Sequence, residues 1–406
     1  MCIIIINRFS ENTINYEEAL SGIDGEYILI TREKHKNVFR ELFPNRKIIN
    51  HFHEDDNIRL YIQELHKKKP VTSIVATHEF DLEEVGKIRD LLNIPGQTED
   101  SAQGFRNKVL MKNMVKEAVR TPKYLEIKEQ MDLISFKEIN GFPFIIKPVD
   151  GAGSAGFSVI SNESEFKKIL EEYTDFPYIA EEFIEGDMYH VDGLYINNQL
   201  IISQPSIYIN GCLAYREEKY LGSVMLSETH PLFERLNKSV LKVLRNLPTP
   251  NHVIPFHAEF FYTSQDEIVF CEIASRVGGG KINNTFLQKT GVNLLSECVR
   301  AQCDKDYNHK NLKIQNDSET YGWMLIPPKK GTLLSINTDF PFDWIIHCIV
   351  RDEKIGKTFS GGDTSVSAIM SLIIKGKDEH QVQERFNIIN EWLENNIIWD
   401  IKTLTI

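Results

Sequence analysis

The stretch Phe142–Ile160, which with Gly141 reads GFPFIIKPVDGAGSAGFSVI, sets narrow limits on the fold around it. An apolar run delivers Lys147 to the edge of a loop of small residues, Gly151–Gly156, and a β-branched and aromatic run, FSVI, follows at once. A Walker-type loop carries Gly-Lys-Ser/Thr and opens a helix, so a strand-loop-strand flap is the reading here. Gly151, Ala152, Gly153, Ser154, Ala155 and Gly156 permit positive φ and close backbone approach, which lets N–H groups point at an anion. On its own such a loop is either an ordinary hairpin turn or a phosphate flap, and other residues have to decide.

A chain of 406 residues is long enough for roughly two to three domains. Its 42% hydrophobic and 26% charged residues are those of a soluble globular protein, and a net charge of −12 argues against nucleic acid or an anionic membrane as the main partner. The opening MCIIIINRF has no basic n-region and no small-residue cleavage site, so it reads as a buried strand. No run approaches the ~18 apolar residues of a membrane span. The six cysteines show no C-x-x-C pair, which predicts reduced thiols in a cytoplasm and a core role for Cys271.

Residues 1 to about 100 alternate strand-like runs (CIIII, EYILI, KIIN, TSIVAT) with helical patterns at Ile58–Lys68 and Leu82–Leu92. This alternation predicts βαβ units around a parallel sheet, and the absence of G-x-G-x-x-G after the first strand argues against a dinucleotide site. The cluster His51-Phe52-His53-Glu54-Asp55-Asp56 reads as a solvated loop in preference to a metal site. One helix is expected from about Ser101 to Arg120, with an apolar face of Leu110/Met111, Met114/Val115 and Ala118/Val119. Of Lys108, Lys112 and Lys116 on its other face, at least two are expected in solvent. Beyond the loop, YIAEEFI reads as a strand, Asn197-Asn198 as a hairpin turn, and 205–230 as an irregular substrate-facing loop. Helices are expected at Pro231–Leu247, Thr285–Cys303 and Glu379–Asn395, and late strands at Trp323–Ile326, Ile345–Val350 and Ala368–Ile374.

The segment HAEFFYTSQDEIVFCEIASRVGGG, from His257 to Gly280, carries the second constellation. If Phe256–Tyr262 and Ile268–Ala274 pair about a turn between Gln265 and Asp266, residue i faces residue 531 − i, and Glu259 lies opposite Glu272. Like charges directly opposite repel, so a partly buried pair implies a bound cation or a raised pKa. A hard cation held by one or two carboxylates, phosphate oxygens and water fits Mg²⁺. The alternative is that both point to solvent. Arg276 and Gly278-Gly279-Gly280 offer a bidentate donor and backbone N–H groups for carboxylate or phosphoryl oxygens, unless Arg276 serves a structural ion pair.

In this order, the lysine strand, the small-residue flap, the strand ending EEFIEG and the distal glutamate pair resemble the ATP-grasp superfamily, and EIASRVGGG is similar to its amino-acid and carboxylate–amine ligase subgroup. The resemblance implies an α/β protein: an N-terminal Rossmann-like parallel-sheet domain (1–105), a two-lobed nucleotide clamp (106–315) and a C-terminal α+β subdomain packing on the large lobe (316–406). Within the clamp, 106–185 would be the small lobe with the lid and 186–315 the large lobe with the metal site. It further implies that Lys108 and Lys147 reach the phosphates of ATP beneath a lid including Gly153, Ser154, Ala155 and Gly156. Glu181 would bond the adenine amino group, and Glu182, Phe183 and Ile184 would line the ring. The ribose position, often Glu, is Met188, with Asp187 or His190 to substitute. Glu259 and Glu272 match the Mg²⁺ ligands, for one or two ions with Mn²⁺ as a substitute, and Arg276 matches the residue that steadies an acyl phosphate. Ala274 stands where many members have Asn, which leaves a third ligating side chain unassigned. Arg216, Gly278 and Gly279 are the substrate candidates.

The expected activity is ADP-forming ligation: a carboxylate, best read as that of an amino acid, becomes an acyl phosphate and an amine displaces phosphate. The rivals are transfer to an acyl-carrier-protein thiol, carboxyphosphate chemistry as in biotin carboxylase, and a non-catalytic ATP-binding module. A cytoplasmic protein, with a homodimer as the family's habit and neither nucleic acid nor membrane as partner, completes the expectation.

Overall fold

A computed structural model describes residues 1–401 except 51, 53–56, 154–155, 173–176, 212, 316, 363 and 365–366. The expectations for Ser154, Ala155 and Cys212, and for the acidic and histidine side chains around Phe52, lie outside the described residues. Among the described residues no helix is long and apolar enough to cross a membrane.

The N-terminal strands Cys2–Asn7, Glu26–Thr31, Arg46–Ile48 and Val71–Ala76 form a parallel sheet, ordered third-second-first-fourth. Cys2–Asn7 is central and buried on both faces, which is why it reads as an unbroken run of isoleucine. The helices Asn57–Lys68 and Leu82–Leu92 follow the expected periodicity.

The expected helix at 101–120 is instead two, Glu99–Arg106 and Lys108–Val115. Asn107 between them has extended backbone, and its side-chain oxygen accepts from the Val109 and Leu110 amides at 3.0 Å each, an N-cap that competes with helix continuation. The break overturns the solvated face. Lys108 and Lys112 are buried and Leu110 and Met114 exposed, while Met111 and Val115 enter the core.

The lysine strand Phe144–Pro148 is central in a four-stranded antiparallel sheet, between Ser158–Ile160 and Tyr178–Glu182, with Tyr124–Ile127 at one edge. Alternation sends Phe144, Ile146 and Ala180 into the core, and leaves Ile145, Lys147 and Glu181 on the opposite face. A loop joins the lysine strand to Ser158–Ile160, with Gly153 at φ 63° and Gly156 at φ 70°. A side chain at Gly156 would also meet the Pro148 ring at 2.8 Å.

An eight-stranded sheet forms the other wall, with Ile254–Tyr262 between Ile268–Ala274 and Asp187–Ile196. The stretch expected to be an irregular loop, 205–230, contains strand at 205–209 and 221–225. Gln199–Ile209 and Leu221–Met225 pair with each other, while their connection, which contains the short helix Ala214–Glu217, and residues 226–230 lie outside the sheet. Asn197 and Asn198 have φ of 47° and 66°, as a two-residue hairpin turn requires. The helix expected at 285–303 breaks at Gly291 into Ile282–Thr290 and Leu294–Cys303. Past residue 316, Thr320–Ile326, Met370–Gly376 and Ile345–Val350 extend this sheet edge to edge, the helix Glu379–Asn396 packs Val382 and Phe386 against it, and Gly331–Ile336, Thr358–Phe359 and Ile397–Asp400 form a separate small sheet.

Candidate active site

Between the lysine strand and the eight-stranded sheet lies a cavity of about 740 Å³. Lys108, Lys147, Gly151, Gly153, Glu181, Glu182, Phe183, Ile184, Asp187, Glu259, Glu272, Arg276 and Gly279 all line it. Most of the residues singled out in the sequence therefore share one space, although they span more than 170 positions.

Lys147 is 3.3 Å from Glu181 and 3.6 Å from Glu272. Burial works against its ammonium, but Glu181 and Glu272 outweigh that penalty, and its pKa is raised. Lys108 also lies 3.6 Å from Glu272, and its Nζ donates to the Gly151 carbonyl at 2.6 Å. Because the Lys108 amide donates to the Val149 carbonyl at 3.0 Å, the capped second helix is fastened to the root of the loop.

Glu181 lines the cavity from the lysine sheet, among lysines. Its side chain is 1% exposed, 3.2 Å from Lys112 as well as 3.3 Å from Lys147. Lys112, which the sequence pattern left in solvent, is fully buried and also donates to the Cys271 carbonyl. The carboxylate thus lies between two ammonium groups, and its Oε1, though near Lys112, has no hydrogen-bond partner among the described residues.

Glu259 and Glu272 face each other across the hairpin, as the turn arithmetic requires, and His257 pairs with Ala274 by the same rule. A β-bulge after Glu259 then moves the register by one residue, so Phe260 meets Phe270. Phe256, Ala258, Phe260 and Phe270 fill the core behind the sheet, and the alternate residues His257 and Glu259 line the cavity. The Glu272 side chain is 33% exposed. Burial opposes its ionisation, but Lys108, Lys147, Lys112 and Arg276 hold its carboxyl down to about 2. The oxygen donors of Glu259 and Glu272, both ends of one cross-strand pair open to a cavity, fit a hard divalent cation.

His190 corrects the ribose reading. It is 1% exposed and does not line the cavity. Its Nδ1 bonds Asp192 at 2.5 Å and its Nε2 bonds the Ser223 hydroxyl at 2.7 Å. Asp192 also bonds His257 Nδ1 at 2.9 Å, and His257 Nε2 lies 3.4 Å from Glu259. Among the described residues, His190, Asp192 and His257 bring ligand-type atoms within 4.8 Å of one another, but their geometry is that of a hydrogen-bonded chain ending at Glu259. Burial lowers the His257 pKa, and Asp192 more than reverses this, lifting it to about 10. Alternation on neighbouring strands was the available signal, since His257 and Glu259, like His190 and Asp192, are two apart.

Two substrate candidates also move. Arg216 is exposed, bonds the Phe157 carbonyl at 3.2 Å and does not line the cavity. Gly278 is packed against the histidine chain, where a Cβ would come within 2.8 Å of Asp192 and His257, while Gly279 and Gly280 reach the cavity. Tyr208 and Trp323, which the sequence did not single out, line it beside them.

Residues 105–280 match the ATP-grasp domain family. An L-arginine-specific L-amino acid ligase of Bacillus subtilis is 27% identical over 66% of this chain and 66% of its own length. A D-alanine–D-alanine ligase of Coprothermobacter proteolyticus is 28% identical over 38% of this chain and 54% of its own. The chain thus spans just under two thirds of the first relative and about half of the second. Among solved structures, an L-amino acid ligase from Bacillus licheniformis superposes with a TM-score of 0.79 at 17% identity, covering 98% of each chain. A phosphoribosylglycinamide synthetase from Anaerococcus prevotii gives 0.69 at 16% identity, covering 99% of each.

Proposed function

We propose that this chain, which carries an ATP-grasp domain and has the ATP-grasp fold, is an ATP-dependent carboxylate–amine ligase acting on an amino acid. The observation that carries this reading is the meeting of Lys108, Lys147 and Arg276 with the Glu259–Glu272 pair in one cavity. Residues 1–105 serve as the preceding domain, 106–315 as the clamp and 316–406 as an extension of its large lobe.

In this reading, the segment Glu182–Ile184 holds the adenine beside the apolar Ile145 and Val159, and Asp187 meets the ribose hydroxyls. Lys147, oriented by Glu181, and Lys108, tied to the lid root, meet the phosphates. Glu259 and Glu272 would hold Mg²⁺, which when bound neutralises phosphate oxygens that would otherwise repel an incoming anion. A substrate carboxylate oxygen attacks the γ-phosphorus and ADP leaves, giving an acyl phosphate. Arg276 and the Gly279 amide steady that anion. The amine then attacks the acyl carbon, the carbon–oxygen bond to phosphate breaks, and the amine gives up a proton to solvent. Positioning and charge neutralisation carry both steps.

The test is incubation with Mg·ATP and single or paired amino acids, followed by ADP, phosphate and product mass. ADP and phosphate with a dipeptide mass are expected. AMP and pyrophosphate, or release that depends on bicarbonate alone, would overturn the reading.

A further inference from the structure

We infer that Glu79, in the N-terminal unit, is a positioning residue for Arg276 and for the base of the glycine-rich lid, an inference that rests on the ligase reading above. Glu79 opens the short turn Glu79–Asp81 that follows the last strand of the parallel sheet. Its Oε2 accepts from Arg276 Nε at 2.6 Å and lies 2.5 Å from Nη2, and its Oε1 accepts from Arg106 Nη1 at 2.8 Å. Arg106 in turn donates to the carbonyl of Asp150, the residue before Gly151. One carboxylate, 12% exposed, therefore links the arginine of the cavity to the start of the lid, from a segment 197 residues before that arginine.

Its own surroundings hold this carboxylate in place. Arg8 pairs with Asp81 in the same turn, and the Arg106 guanidinium lies 5.3 Å over the Phe80 ring. Burial disfavours the Glu79 carboxylate, but Arg276 and Arg106 more than compensate and hold it ionised. Arg276 lines the cavity and Glu79 does not, so Glu79 acts through the arginine. Arg276 Nη1 also donates to the Val277 carbonyl at 3.0 Å, a local contact. Without Glu79 the guanidinium has one fewer fixed side and a larger choice of rotamers, at the point where a small misplacement of a binding group is most costly.

The test compares wild type, Glu79→Gln and Glu79→Asp in steady-state ADP release, with thermal unfolding of each. Glu79→Gln is expected to lower kcat/KM for the carboxylate substrate by about 10- to 100-fold, with KM for ATP raised less. Glu79→Asp keeps the charge but shortens its reach, and is expected to recover part of that loss. If Glu79→Gln does not fold, Glu79→Asp carries the test, since a folded variant with reduced kcat/KM still reports misplacement. Combining Glu79→Gln with Arg276→Lys should cost less than the product of the separate losses. Wild-type kinetics in folded Glu79→Gln, wild-type kinetics in Glu79→Asp where Glu79→Gln does not fold, or a fully multiplicative double variant, would overturn the inference and leave the ligase reading standing. A wild type that consumes no ATP with any carboxylate would overturn that reading, and this one with it.

Discussion

Glu181 and Glu272 reach for the same lysine from opposite walls of the cavity, and they are built for different tasks. Glu181 is boxed between Lys112 and Lys147, whereas Glu272 faces the cavity opposite a second carboxylate. The first has its charge balanced within the protein. The second belongs to a cluster in which Glu259 and Glu272 meet Lys108, Lys147 and Arg276 at the open cavity. Similar distances from a cation, 3.3 and 3.6 Å, therefore say little about a carboxylate's role. Exposure and the number of committed partners separate the two.

The sharpest test of this contrast is Glu272→Gln, which keeps the shape of an already cavity-facing side chain. Turnover is expected to fall by at least about 10²-fold, with a melting temperature near that of wild type. Near-normal turnover would remove the role given to the carboxylate pair. The mirror experiment is Glu181→Ala, which leaves Lys112 buried without its carboxylate. Urea unfolding should show a loss of about 3–5 kcal/mol. A wild-type midpoint would make Glu181 as dispensable to the fold as Glu272. Lys147→Ala belongs between these cases, because it removes a cation from both carboxylates and is expected to cost stability as well as turnover.

Lys108→Ala separates lid from metal site more finely. Lys108 holds the Gly151 carbonyl and faces Glu272, so its loss should weaken ATP binding by about 1.5–3 kcal/mol, read as a higher KM for ATP. An unchanged KM would confine Lys108 to the fold.

The smallest effect is a pH dependence from outside both sites. Burial, aided by Arg89, lowers the His252 pKa from 6.5 to about 4. The unfolded chain therefore takes up that proton first as pH falls, and stability present above about 6.5 is lost on the way down to about 4. Burial lowers His78 to about 4 as well, so His252 accounts for only part of the loss in this window, and the variant's difference from wild type measures that part. Unfolding free energies at pH 7 and pH 5 should differ less in His252→Gln than in wild type. An equal slope would assign the acid loss elsewhere.

The legible parts of the site were those set by local rules. Strand periodicity and one turn placed Glu259 against Glu272, and strand character after Gly156 excluded a helix-opening loop. The Asn107 cap was readable in principle, yet the apolar repeat on either side of it concealed the break that turns Lys108 and Lys112 inward. Irregular composition misled at 205–230, where pairing with neighbouring strands overrode weak local preference.

By itself, then, the sequence determined which runs alternate, where small residues permit a lid, and which two carboxylates meet across a hairpin, because each depends on atoms a few residues apart. Only the tertiary structure decided that Lys112 and Lys147 enclose Glu181, that Glu79 grips Arg276, and that His190 turns to Asp192 and Ser223. Those outcomes rest on the cost of burying a charge, and that cost is set by partners that distant segments bring to it.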